Sequence, residues 1–176
     1  MFRLLASLIA LITLALPHVA AAQVRLSFHS FNGSWLGGRY PHTFIVLEGT
    51  LDATGQAINE NYGYTAVHAS PAVLAGNVAG TIMIEHPKYI TSTNRHFSLP
   101  ISDAQYRTII SEMQVWRDAP GKAYNLDHHN CVHFVARIAE IAGLHINVPQ
   151  NMVRRPKLWL NYVARLNPQL GAREIL

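Results

Sequence analysis

The hydrophobic pattern changes period partway along the chain, and this change limits the fold more than any other feature. Up to about residue 99, apolar and polar positions alternate over short runs; beyond Ser102 the apolar positions recur every three or four residues over longer ones. Alternation sends successive side chains to opposite faces of a strand, whereas the longer period lines them along one side of a helix. With strands gathered in one half, helices in the other and no internal repeat, the expected class is α+β with a mostly antiparallel sheet.

The strands are expected at residues 24–30, 42–48, 57–66, 80–85 and 90–99, with Asp52-Ala53-Thr54-Gly55 as a hairpin loop. Gly33, Gly37 and Gly38 mark a flexible connection between the first two. A short helix is expected at 70–76, where Ser70 can cap and Pro71 suits a first turn. Ser102-Asp103-Ala104-Gln105 has the form of a capping box, and Tyr106, Ile109, Ile110, Met113 and Trp116 follow at helical spacing. A second helix should begin after Asn130, carry Val132, Val135, Ile138, Ala139 and Ala142 on its apolar side, and stop at Gly143. A last helix is expected at 156–166. Arg154, Arg155, Lys157 and Arg165 around it read as a solvated face.

Residues 1–22 have the layout of a signal peptide: Arg3 supplies the positive start, residues 4–16 an apolar core, and Ala20-Ala21-Ala22 a small-residue cleavage site. The apolar run is short for a bilayer span, so the expected product is an exported, soluble chain of residues 23–176 forming one domain. Of fourteen Lys and Arg, Arg3 leaves with the leader, and thirteen then face ten Asp and Glu. That excess is modest and does not imply a nucleic-acid partner.

Cys131 is the only cysteine. It cannot form an internal disulfide, and an unpaired thiol in an oxidising compartment is exposed to damage unless it is buried or has a task. Its position suggests the task. Asn130 is a favoured N-cap, and the free N–H groups and dipole of a helix N-terminus stabilise an anion, so the thiol is expected to ionise readily.

A cysteine nucleophile needs an imidazole within hydrogen-bond reach and a third polar group to orient it. Among ten histidines, His42 opens an apolar strand after a flexible loop, where a rigid sheet can present it at the mouth of a cleft. His128, His129 and His133 are too near Cys131 in sequence to turn easily onto its sulfur and read as flanking polar residues. Asp127, His128, His129 and His133 include metal-ligand types, but one cysteine without a paired ligand cluster makes a poor zinc site, and neither metal nor cofactor is expected.

Asn130-Cys131-Val132-His133-Phe134-Val135 resembles the Asn-Cys-Glu-His-Phe-Val signature of the lecithin:retinol acyltransferase-like group, within the circularly permuted NlpC/P60 and papain-like thiol enzymes. The order also agrees, with a strand histidine, His42, preceding the cysteine helix. The resemblance implies a permuted papain-like fold, in which the cysteine helix packs against an antiparallel sheet carrying the histidine, and thioester chemistry of amidase, peptidase or acyltransferase type. Val132 departs from the signature, and no histidine lies a dozen residues after His42 to serve as the third residue. If the hairpin pairs Leu51 with Gln56, Thr65 falls opposite His42 and Asn61 shares its face, which makes Thr65 or Asn61 the candidate orienting group. Export without an anchor favours hydrolysis of an acyl, amide or peptide substrate, peptidoglycan fragments being the simplest. An inactive binding module of the same fold, with Trp35 and the glycine loop as its surface, and an acyltransferase are the alternatives.

Overall fold

The structure is a computed structural model that describes residues 24–33, 40–68 and 70–176. The expected leader and most of the glycine loop, with Trp35, lie outside the described residues. The architecture is α+β. Five strands, β1 (Val24–Phe31), β2 (His42–Thr50), β3 (Ala57–Ala66), β4 (Gly80–Met83) and β5 (Asn94–Ile101), form one antiparallel sheet in the order β4-β3-β2-β1-β5. Short helices α1 (Ala72–Ala75) and α2 (Pro87–Ile90) flank β4, and α3 (Asp103–Arg117), α4 (Cys131–Ile141) and α5 (Pro156–Leu166) follow the sheet in sequence.

One face of the sheet carries Leu26, Phe28, Ile45, Leu47, Ile58 and Tyr64, and these share a single buried core with Ile109 of α3, Phe134 and Ile138 of α4, and Trp159 and Leu160 of α5. Alternation sends His42, Phe44 and Val46 to the opposite face of β2. There Phe44 lies between two histidines, its ring centroid 5.3 Å from that of His29 and 6.3 Å from that of His42. Leu51 N–H donates to Gln56 O at 3.0 Å, and β2 pairs with β3 from Thr50↔Ala57 to Ile45↔Tyr62, the register expected from the hairpin.

Helix boundaries follow local chemistry. Ser102 Oγ accepts from Gln105 N–H at 3.2 Å while Gln105 Oε1 accepts from Ser102 N–H at 3.0 Å, which completes the capping box of α3. Asp103 in the first turn also accepts the backbone N–H groups of Asp52 and Ala53, tying the hairpin to the helix. Gly143, with φ 85°, closes α4: Gly143 N–H bonds Glu140 O at 2.9 Å and Leu144 N–H bonds Ala139 O at 3.0 Å.

Two of the boundaries that differ from the sequence reading have a clear local cause. β4 ends at Met83 because the Asn61 side chain captures the backbone of Glu85, donating to its carbonyl at 3.0 Å and accepting its N–H at 2.6 Å. The last strand begins at Asn94, since Pro87 and the capping ring of His86, whose Nδ1 accepts from Lys88 N–H at 3.3 Å, turn residues 87–90 into α2. A bulge also interrupts β5. Phe28 pairs with Phe97 and His29 with Arg95, so His96 is the extra residue. Its ring is buried between Ser30 Oγ (2.8 Å from Nε2) and Asn161 Oδ1 (2.9 Å from Nδ1).

Candidate active site

Asn130 organises the start of α4. Its Oδ1 accepts the N–H of Val132 at 2.8 Å and of His133 at 3.4 Å, two donors that no helical carbonyl can reach. Its Nδ2 donates to Val153 O at 2.8 Å and Leu126 O at 2.5 Å, so one side chain joins the helix to two segments of the cleft wall. His133 closes the box through Nδ1, 3.4 Å from Asn130 N. Asn130→Ala removes the cap and leaves the buried Val153 carbonyl and the half-buried Leu126 carbonyl without this donor. The expected loss is about 2 kcal/mol of unfolding free energy, measured by urea denaturation.

Cys131 is the first residue of α4 and only 6% exposed. Burial pushes its thiol up to about 11, against the opposing pull of the backbone N–H groups of Thr43, Val132 and Cys131 itself. The readily ionised thiol expected from helix position alone is therefore corrected. At this site desolvation outweighs the helix terminus, and the resting sulfur is a neutral S–H.

A cleft of about 460 Å³ opens beside it, with Cys131, His42, Thr65 and Tyr124 in its walls. Most of the remaining lining is apolar, including Val73, Leu74, Met83, Leu126, Val153 and Pro156. One cavity is thus bordered by both, Cys131 at the start of α4 from the core side of the sheet and His42 at the start of β2 from the side that carries Phe44. Thr65 lines it too, and continuing the β2–β3 register to the strand ends sets it opposite His42. Asn61 is outside that lining, and both ends of its amide are engaged with Glu85. Arg154 borders the cleft with its guanidinium held by Asp127 at 2.8 Å through both carboxylate oxygens, which keeps the Asp127 carboxyl below its usual range.

The histidines near Cys131 have separate places. His128 is exposed. His129 stacks on Trp116 with centroids 3.9 Å apart and meets Tyr64 edge-on at 5.2 Å, so it belongs to an aromatic cluster rather than to a polar flank. Burial lowers the pKa of both His129 and His133 and keeps each neutral at neutral pH. Among the described residues, no group of three or more His, Cys, Asp or Glu is placed to hold a metal ion.

Tyr124 is a residue that the sequence reading passed over. Two backbone hydrogen bonds to Val78, both 2.9 Å, fix it in the cleft wall, and its ring leans on Tyr64 at 5.6 Å. Burial, followed by the proximity of Cys131 and Tyr64, holds its hydroxyl well above the usual tyrosine range, so it remains an O–H donor. No local motif in the sequence marks it, because its place depends on a bridge to a residue 46 positions earlier.

Compared with known protein families, curated proteins and solved structures, the chain matches none.

Proposed function

We propose that the chain is an exported cysteine hydrolase of permuted papain-like type that cleaves an amide or ester bond through a thioester on Cys131. The observation that carries this reading is the shared cleft: the only cysteine and the strand histidine His42 wall the same cavity although they lie 89 residues apart in the sequence. Its apolar lining suits an uncharged acyl group, and peptides of the cell wall are the simplest substrate for an exported enzyme.

In the proposed reaction, His42 takes the proton of the Cys131 thiol as sulfur attacks the carbonyl, and returns it to the departing amine or alcohol. Water then attacks the thioester, losing a proton to His42, and the acid leaves as the thiol reforms. Because burial keeps the resting thiol protonated, proton removal accompanies attack instead of preceding it. Thr65 is the proposed orienting group. The backbone N–H of Cys131 and the hydroxyl of Tyr124 are the proposed donors to the oxyanion.

The test is intact mass after mixing with para-nitrophenyl acetate and, separately, with peptidoglycan-derived peptides. A transient gain of one acyl group mapped to Cys131 is expected; turnover with no adduct on Cys131 under rapid quench overturns the mechanism. No helix among the described residues is long and apolar enough to cross a membrane. Export is tested by N-terminal sequencing of the protein outside the cytoplasm, with a start near Gln23 expected.

Tyr124→Phe keeps the ring and removes only the donor. A loss of kcat on the order of 100-fold is expected, the usual scale for one oxyanion donor, with little change in KM. Stopped-flow hydrolysis of para-nitrophenyl acetate measures both.

A further inference from the structure

We infer that Gly63 is a positioning residue for the reaction proposed above: the missing side chain at this point of β3 is the space in which the His42 imidazole lies. The inference rests on the Cys131–His42 reading. Gly63 is buried inside β3, where it pairs with Met83 of β4. A strand interior is a poor place for glycine, which has nothing to pack and more backbone freedom to lose than any other residue, and such a glycine often marks close approach by another group. Its φ is outside the left-handed region, so the backbone path does not require glycine.

Space does require it. A Cβ at this position would overlap His42 Nε2 and lie 3.2 Å from His42 Cε1 and 3.0 Å from Phe44 Cβ. Of these atoms the ring is the one free to move, because it turns about two side-chain bonds, whereas Phe44 Cβ is fixed to a central strand. The imidazole already lies nearly parallel to the Phe44 ring, at 13°, which blocks escape in that direction. A methyl group on residue 63 therefore drives the imidazole away from β3 and changes its bearing on Cys131. The backbone is spared.

The test compares wild type, Gly63→Ala and His42→Ala with para-nitrophenyl acetate, with kcat and KM measured across a range of pH. For Gly63→Ala, kcat is expected to fall on the order of 100-fold, the scale set by a displacement of about 1 Å in a catalytic group, with KM nearly unchanged. The pH profile of kcat is expected to move toward that of the residual turnover of His42→Ala, a shift that a purely structural defect would not produce. Wild-type kcat and an unchanged profile in a folded Gly63→Ala overturn the inference. If Gly63→Ala does not fold, the double variant Gly63→Ala/His42→Ala decides: recovery of folding identifies the ring as the obstacle, and failure to recover overturns the inference. Full turnover in His42→Ala would instead remove the Cys131–His42 reading itself, whatever Gly63→Ala does.

Discussion

Serine at position 131 is expected to lower turnover at least about a thousand-fold, since removal of an activated nucleophile leaves only what binding and the oxyanion donors supply. The substitution is nearly isosteric, and the hydroxyl can occupy the same place at the head of α4, so unfolding free energy should change by less than about 1 kcal/mol. The two measurements together separate chemistry from stability. Retained hydrolysis by a well-folded Cys131→Ser protein would take the sulfur out of the reaction. The thiol, raised to about 11 by burial, adds a second expectation for the wild type. Iodoacetamide, which needs thiolate, should react slowly at neutral pH and faster as the solution becomes alkaline, whereas turnover should already proceed near neutrality because His42 removes the proton during attack.

Acid is expected to destabilise the fold through two histidines remote from the cleft. Burial lowers His29 to about 4, with Arg95 and His96 adding to the shift, and burial likewise lowers His96 to about 4, assisted by Lys157 and opposed by the hydrogen bond to Asn161. His96 is engaged at both ring nitrogens and His29 at Nδ1. His29 Nδ1 lies 2.8 Å from Thr93 Oγ1; Asn161 Oδ1 can only accept, so His96 donates through Nδ1 and accepts the Ser30 O–H hydrogen bond at Nε2. In the unfolded chain each would titrate near 6.5. Between the two values the unfolded state binds more protons, so stability is complete above about pH 6.5 and is lost as pH falls toward 4. The combined loss is on the order of 5 kcal/mol, comparable to the whole stability of a small domain. Urea midpoints at pH 7.5 and 4.5 measure it, and His96→Asn should flatten about half of the difference. Equal midpoints in the wild type would show that these rings charge without penalty.

The sheet was legible because its signals are local: alternation in β1, a short apolar run in β2, and a four-residue hairpin whose geometry carries the register to Thr65. The caps of α3 and α4 were legible for the same reason. Asn130 and His133 fulfil the box with histidine where glutamate or glutamine is usual, so the aromatic reading of His129 and the capping reading of His133 needed contacts that a sequence does not display. Burial of Cys131 against β2 is a long-range fact, and it reverses the ionisation that helix position alone suggests. Tyr124 and Gly63 were missed because each is defined by a partner distant in the chain, Val78 for one and His42 for the other. Asn61 was placed on the correct face of β3, yet its amide is drawn to the backbone beyond β4, which only the fold reveals.

The strand order has a consequence for molecules at high concentration. A sheet of this kind has two outer borders, and a long straight border invites lateral joining of one molecule to another and, eventually, fibrils. Here β4 offers four residues. β5 is longer, but His96 kinks it and Pro100 lacks an amide proton, so its row of donors is broken twice. Both borders are thus poor templates for a neighbouring strand.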